Sequence, residues 1–159
     1  MRADIDKTTG PDKQLVTFEI GREEFGLDIL SVQEIDRITG ITELPQVPEY
    51  IEGIINLRGK IVPVMNLRKR LGMEEKSDDQ NTRIIVARVD GKTTGFKVDA
   101  VKEVLRIFSD CFEPPPDIVA GLRSDFFKSI AKLEDRLLIL VDPVKIVSGE
   151  KQNLTAGSL

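Results

Sequence analysis

The sequence contains no histidine and no tryptophan, and its only cysteine is Cys111. Without histidine, the chain cannot form a Ser-His-Asp or Cys-His catalytic group, bind a metal through imidazole or accept a phosphoryl group on histidine. A single cysteine cannot close an intramolecular disulfide, so the composition gives no sign of an oxidising compartment. Asp110 and Glu113 lie close to Cys111 in the sequence, and an acidic setting does not favour a reactive thiolate, so we expect a packing role for this cysteine.

Long apolar segments are also absent. The longest aliphatic run, residues 137–141, is much shorter than a membrane span, and the polar first ten residues lack the apolar centre of a signal peptide. Of the 159 residues, 40% are hydrophobic and 31% are charged, which is typical of a folded domain. We therefore expect a cytoplasmic protein with no direct membrane insertion.

Motifs for phosphate or metal binding are missing as well. Neither a GxGxxG nor a GxxxxGK[ST] loop occurs, and no group of cysteine and carboxylate residues has the spacing of zinc ligands. Adjacent carboxylates do occur, but they fall in predicted turns and loops, where solvated charge explains them: Glu23-Glu24, Asp78-Asp79 and Glu134-Asp135. We expect no cofactor, no metal and no catalytic residue, with a carboxylate-based enzyme as an alternative.

Positive charge is concentrated in one short segment. The net charge is −4, yet residues 54–73 contain five basic residues and no acidic ones: Arg58, Lys60, Arg68, Lys69 and Arg70. This basic island fits either a docking surface or the last turn of a short helix. It contains no aromatic residue on which a base could stack, so a small barrel that binds nucleic acid is an alternative that the pattern does not favour.

Short alternating segments predict a protein built from strands. The run 15–20 is followed by a turn and by the run 25–29, and the run 84–89 ends at Asp90-Gly91, a hairpin signal. Asn66 and Asp142 predict the starts of two short helices, over 67–71 and 144–147. A single turn is expected at 49–52, ending at Gly53.

Two stretches of the sequence repeat in the same order. Residues 26–35 align with 95–104 at an offset of 69 and share the pattern Gly, apolar, x, apolar, x, x, Val, x, Glu, apolar. Residues 54–69 align with 130–145 at an offset of 76, and the capping residue Asn66 then coincides with Asp142. Because the order and the caps both match, we interpret the chain as an internal duplication.

Each copy holds about five short strands and a short helix, which curl most readily into a small barrel without exposed edges. We therefore predict a mainly β domain over residues 14–148 that consists of two five-stranded barrels with a shared core. The repeat units, about 14–80 and 81–148, would correspond to the barrels, with strand exchange between them left open. Residues 1–13 and 149–159 are expected to be flexible tails.

Over about residues 14–148 the sequence resembles the CheW family of bacterial chemotaxis coupling proteins. The resemblance rests on Val32-Gln33-Glu34-Ile35, on the Asn-Leu-Arg-Gly motif within 53–64, and on the segments 25–29, 95–99, 113–116 and 133–140. It implies two SH3-like β-barrel subdomains. It also implies a non-enzymatic adaptor that links methyl-accepting chemoreceptors to the histidine kinase CheA in membrane-associated receptor arrays. Asn66 departs from the aspartate that many members carry, and either residue can cap a helix.

The resemblance also implies two sets of binding residues. The groove between the barrels would take the tip of a receptor's helical hairpin, at positions that match Val32, Glu34, Gly53, Arg58 and Ile84. A second surface would dock the regulatory domain of the kinase, for which the matching positions are Ile38 and Ile41.

For two of these residues the sequence leaves a purely structural explanation open, and for Arg58 it does not. Glu34 and Glu103 are repeat counterparts, so a structural role common to both barrels would explain the glutamate. Val32 fits the core as well as it fits a contact. Arg58 coincides with Glu134, so the fold alone does not require arginine there, and its planar guanidinium suits a carboxylate or carbonyl of a partner.

Overall fold

The computed structural model describes residues 12–119 and 121–148, and this part of the chain is mainly β. The strands are β1 (Lys13–Ile20), β2 (Glu23–Asp28), β3 (Val32–Arg37), β4 (Ile51–Leu57), β5 (Lys60–Asn66), β6 (Arg83–Val89), β7 (Lys92–Val98), β8 (Ala100–Ile107), β9 (Phe112–Glu113), β10 (Ile118–Val119), β11 (Leu122–Arg123), β12 (Phe127–Lys132) and β13 (Leu137–Val141). The α-helices are α1 (Leu67–Arg70) and α2 (143–148), and 3-10 turns lie at Ile29–Ser31, Ser109–Cys111 and Ser124–Phe126.

The longer strands form two sheets. Sheet I has the strand order β8-β1-β2-β13-β12-β9, and sheet II has the order β3-β6-β7-β5-β4. β10 and β11 form a separate two-stranded ribbon. The predicted mainly β fold with two strand-built units and short helices is confirmed. Sheet I has six strands rather than five because the two-residue strand β9 pairs with β12.

The pairing register matches the predicted duplication. In sheet I, Leu15 of β1 lies opposite Leu105 of β8. In sheet II, the repeat counterparts of these residues, Ile84 of β6 and Asp36 of β3, lie opposite each other in the same way. Ile84 lies 69 residues after Leu15, and Leu105 lies 69 residues after Asp36, which is the offset between the repeats. The two sheets are therefore copies of one arrangement.

Each sheet combines strands from both repeat units. Sheet I takes β1 and β2 from the first unit and β8, β9, β12 and β13 from the second. Sheet II takes β3, β4 and β5 from the first unit and β6 and β7 from the second. The units 14–80 and 81–148 therefore do not coincide with the sheets. The cause is local: Asp99 is the single residue between β7 and β8, and a hairpin loop needs about two, so β8 cannot fold back onto β7.

The two sheets share one core, as the sequence predicted. The largest cluster of buried side chains includes Phe18 and Phe25 from sheet I and Met65 and Phe96 from sheet II. The Phe25 ring lies 5.8 Å from that of Phe18 and 6.1 Å from that of Phe127, measured between centroids. Burying each side chain of this size contributes about 1.5–3 kcal/mol, so separating the sheets would expose much of the stabilising surface. Cys111 is also buried, which agrees with a packing role.

Both predicted helix starts are confirmed. The Asn66 side chain accepts a hydrogen bond from the Lys69 backbone amide at 3.3 Å, and Gly72 follows α1 with a φ of 81°. The Asp142 side chain accepts hydrogen bonds from the amides of Val144 and Lys145 at 3.1 and 3.3 Å. These caps satisfy amides that the first turn of a helix leaves without partners.

Replacing Asn66 with alanine should lower the free energy of unfolding by about 1–2 kcal/mol. The variant loses the cap, and it also loses the 2.9 Å hydrogen bond that the Asn66 amide donates to Glu52. Urea denaturation followed by circular dichroism measures the change. Asn66→Ser is the matched control because serine keeps the capping oxygen but lacks the donor to Glu52, so it should recover about half of the loss. Equal losses in the two variants would contradict a capping role.

One local prediction is wrong, and two boundaries move. The Ile51 amide donates a hydrogen bond to the Pro48 carbonyl at 2.9 Å and closes a turn over residues 48–51, one residue earlier than expected. Ile51 already begins β4, so Gly53 lies inside that strand and does not end the turn. The glycine has a special role that sequence reasoning mistook for a stop signal, as described below. Lys13, which was assigned to the amino-terminal tail, begins β1. The rest of the two predicted tails lies outside the described residues, apart from Asp12.

Candidate functional site

Glu34 and Arg58 lie together on sheet II. Glu34 belongs to β3, an edge strand in the order of that sheet, and Arg58 lies in the turn between β4 and β5. The Arg58 Nη1 atom donates a hydrogen bond to Glu34 Oε1 at 2.5 Å. The arginine side chain is 73% exposed, whereas the glutamate is only 20% exposed. The guanidinium is therefore the part of this pair that a partner could reach.

The backbone at Arg58 is unusual for a residue with a side chain. Arg58 and Gly59 have φ values of 51° and 85°, and the Asn56 side chain accepts a hydrogen bond from the Gly59 amide at 2.9 Å. A two-residue hairpin turn with both φ values positive strongly favours asparagine, aspartate or glycine. Arginine at its first position is a strained choice for the fold, and strained residues often serve function.

Asp36 is a third charged residue beside this pair, and sequence reasoning missed it. It lies two residues after Glu34 on β3, so both side chains point to the same side of the strand. Burial and the adjacent Glu34 carboxylate raise the pKa of Asp36, while the hydrogen bond from Arg58 lowers the pKa of Glu34. The Oδ2 atom of Asp36 is buried without a hydrogen-bond partner. The alternation of β3 could have revealed Asp36 as a neighbour of Glu34.

The repeat counterpart of Glu34 also contacts an arginine. Glu103 on β8 receives a hydrogen bond at 3.3 Å from Arg136, which also donates to Glu24 at 2.8 Å. Each sheet therefore contains a glutamate that accepts a hydrogen bond from an arginine in or beside a hairpin turn. This similarity supports a structural role for Glu34. Arg58 is different, because its own counterpart is the exposed residue Glu134.

Two of the five receptor-binding positions implied by the resemblance are buried, and a third is partly buried. Val32 is partly buried and packs against the main core. Ile84 has no exposed surface and belongs to the smaller core of sheet II. Gly53 is buried, and a Cβ atom on it would lie 2.1 Å from the carbonyl oxygen of Thr42. Gly53 and Ile84 therefore support the fold and offer no side chain to a partner, whereas Val32 keeps part of its side chain accessible.

The two residues implied for kinase binding are partly buried. Ile38 and Ile41 follow β3 and pack against a small cluster of buried side chains in sheet II: Ile55, Val62, Val64, Ile84 and Val86. They lie in the segment between β3 and β4 and pack against the sheet that carries Glu34. Part of each isoleucine remains accessible.

Sheet II also exposes aliphatic side chains that sequence reasoning did not assign. Ile35, next to Glu34, is 40% exposed, and Ile61, three residues after Arg58, is 62% exposed. Their repeat counterparts in sheet I, Val104 and Leu137, are 50% and 56% exposed. The sequence contains no signal for Ile35, because an apolar residue that alternates with charged ones on a strand is expected to face the core.

The basic island is not a free cationic patch. Arg68 pairs with Asp99 at 2.7 Å and Lys69 pairs with Glu75 at 2.5 Å. Arg58 pairs with Glu34, and Arg70 contacts two aromatic rings. Of the two explanations, the last turn of a helix therefore accounts for three of the five residues.

Open cavities lie near the crossover from sheet I to sheet II. One, of about 560 Å³, is lined in part by Lys13, Ile29, Leu30 and Arg106. Leu30 itself is 91% exposed. Neither Glu34 nor Arg58 lines this cavity, so the cavity and the charged pair are separate features of the structure. Residues 12–119 and 121–148 contain no group of side chains suited to a metal ion and no helix long enough to cross a membrane.

Comparison with known proteins gives consistent matches over most of the chain. A family model described as the CheW-like domain matches residues 14–151. The chemotaxis protein CheW of Klebsiella aerogenes is 36% identical over 142 residues, which cover 89% of this chain and 86% of that protein. A probable chemotaxis protein CheW of Rhizobium etli is 37% identical and covers 82% and 84%. The crystal structure of the scaffolding protein TtCheW from Thermoanaerobacter tengcongensis matches with a TM-score of 0.79 and 41% identity, covering 83% and 90%.

Proposed function

Because this chain belongs to the CheW family, we propose that it is a non-enzymatic adaptor that couples chemoreceptors to the histidine kinase CheA. The observation that carries this proposal most directly is Arg58. An exposed arginine occupies a turn position that disfavours it, while its repeat counterpart is a glutamate. Such a residue is better explained by a partner than by the fold.

We propose that the receptor contact centres on Arg58 and Glu34. An exposed ion pair contributes little to stability, so Arg58 can exchange Glu34 for an acceptor on a partner at little cost. The cytoplasmic tip of a receptor's helical hairpin offers carboxylates and backbone carbonyls as acceptors. Ile61, which is 62% exposed and lies three residues after Arg58, would add apolar contact area.

We propose a separate surface for the regulatory domain of the kinase. Ile38 and Ile41 remain the proposed contact residues, because each keeps part of its side chain accessible and lies in the segment after β3. The chain would then act in the cytoplasm, where kinase and receptor tips meet. Glu34 and Asp36, the titratable pair with shifted pKa values, lie beside an arginine on an edge strand rather than in an enclosed cleft, which supports a binding role over catalysis.

Pairwise binding tests this proposal. The purified chain should co-elute on gel filtration with the regulatory domain of CheA and, in a separate run, with a receptor cytoplasmic fragment. When incubated with radiolabelled ATP and active kinase, it should acquire no label, because an adaptor is not a substrate of the kinase. A chain that binds neither component, or that becomes phosphorylated by the kinase, would contradict an adaptor role. Retention on a polyanion column that is lost with salt would instead support the nucleic-acid alternative.

A further inference from the structure

Arg70, the last residue of α1, makes contacts that the adaptor role does not use. Its guanidinium carbon lies 4.7 Å from the centre of the Tyr50 ring and 4.6 Å from the centre of the Phe126 ring. Its Nε atom donates a hydrogen bond to the backbone carbonyl of Ile146 at 3.1 Å. The side chain therefore joins three segments that are far apart in the sequence.

The two rings around Arg70 are repeat counterparts. Tyr50 and Phe126 differ by the offset of 76 that relates the second part of each repeat. The Tyr50 carbonyl accepts a hydrogen bond from the Asn66 amide, and the Phe126 carbonyl accepts one from the Asp142 amide, both at 2.7 Å. Because Asn66 and Asp142 are the matching helix caps, the two aromatic residues occupy equivalent places in the two halves.

The third partner of Arg70 is its own counterpart. Ile146 differs from Arg70 by the same offset, and its carbonyl accepts the Nε hydrogen bond. Arg70 thus contacts Tyr50, its counterpart Phe126, and Ile146, which is the counterpart of Arg70 itself. A residue with these three contacts lies where the two repeat-related halves of the protein meet. There is room for only one arginine side chain at this position. The first copy therefore has Arg70, and the second copy has Ile146, which is 1% exposed.

We propose that Arg70 is the positioning residue that fixes the angle between sheet I and sheet II. Tyr50 directly precedes β4 of sheet II and Phe126 directly precedes β12 of sheet I, so the two rings move with different sheets. A planar guanidinium can contact two aromatic rings and still donate a hydrogen bond to the carbonyl from its edge. A lysine at position 70 would keep the positive charge but has no planar group to stack on the rings. This role does not depend on the proposed adaptor function.

Pulsed electron-spin distance measurements on the isolated chain test the role of Arg70. In a Cys111→Ala background, Lys60→Cys with Glu134→Cys places one label in the hairpin of each sheet, and Lys60→Cys with Lys92→Cys places both labels in sheet II. Arg70→Lys and Arg70→Met should each broaden the distance distribution between the sheets about twofold, while the distribution within sheet II keeps its width. The matched control Arg22→Met, which removes an arginine from the exposed β1–β2 turn, should broaden neither.

Three results would overturn the proposal. An unchanged distribution between the sheets in Arg70→Met would show that the shared core alone sets the angle. A narrow distribution in Arg70→Lys would show that the charge is sufficient and that the planar contact with the two rings is not needed. Broadening of both label pairs would indicate general loosening rather than a change of angle. Because no receptor or kinase is present, these results are separate from any failure of the adaptor proposal.

Discussion

Gly53→Ala is expected to destabilise the protein by about 3–5 kcal/mol, a loss that threatens folding in a small domain. A Cβ atom at this position would lie 2.1 Å from the carbonyl oxygen of Thr42, a distance that no packed structure tolerates. The backbone of Thr42 cannot retreat easily, because it exchanges two hydrogen bonds of 2.9 Å with Ile54. Gly53 also has a φ of 149°, which adds a conformational cost for alanine. Urea denaturation measures the loss.

Gly59→Ala is the matched control for this substitution. Gly59 also has a positive φ, of 85°, but nothing lies within 4 Å of the position of its Cβ atom. Only the conformational cost applies, so the expected loss is about 1 kcal/mol. Similar losses in the two variants would contradict the importance of the close approach to Thr42. The comparison also separates fold from function, since a loss of receptor binding in Gly53→Ala would follow from disruption of sheet II.

Arg58→Glu is expected to weaken binding of a receptor fragment at least about tenfold, or about 1.4 kcal/mol, without a large change in the unfolding midpoint. The substitution places a third carboxylate beside Glu34 and Asp36 and removes the donor proposed to reach the partner. The fold should persist because the residue lies in an exposed turn. Isothermal titration calorimetry measures the affinity, and thermal unfolding measures the stability.

Two further variants distinguish a contact with the partner from the intramolecular ion pair. Arg58→Gly suits the positive φ and should keep or raise the unfolding midpoint, yet it should lose binding as Arg58→Glu does. The double variant Glu34→Arg with Arg58→Glu restores an ion pair of reversed polarity. If the pair serves only the fold, the double variant should bind the receptor fragment normally. The proposal requires that it binds poorly, and normal binding would contradict it.

Sequence reasoning succeeded where the signal was local. Asp90-Gly91 predicted the β6–β7 hairpin because few residues other than aspartate, asparagine and glycine adopt two successive positive φ values, and these two have 53° and 81°. Asn66 and Asp142 predicted the helix starts because their side chains cap amides only two or three residues away. The constant offsets of 69 and 76 between matching residues likewise revealed the internal duplication.

It failed where distant segments decide the outcome. Gly53 appeared to be a stop signal, but its role depends on the Thr42 backbone, which approaches from another segment. The assignment of strands to sheets depended on the single residue Asp99 between two strands, a detail that apolar patterns do not show. The contacts of Arg70 with Tyr50 and Phe126 arise only after strands have been exchanged between the repeats, so composition assigned this arginine simply to a helix end.

The candidate site shows the same division. Glu34 and Arg58 were proposed by position alone, and the structure brings them to 2.5 Å of each other. Ile84 was proposed in the same way and proved to be wholly buried. Alternation on β6 could not separate core from surface there, because that strand is interior to sheet II and nearly all of its residues are buried.

The most direct test of the adaptor role is a bridging measurement. Beads that carry a receptor cytoplasmic fragment are incubated with CheA, with and without this chain, and the retained kinase is quantified. The proposed function predicts that kinase is retained in proportion to added chain, and that Arg58→Glu reduces retention at least about tenfold while its binding to the kinase regulatory domain is unchanged. Retention of the kinase that does not depend on the chain, or a chain that binds both components but never at the same time, would contradict the coupling function.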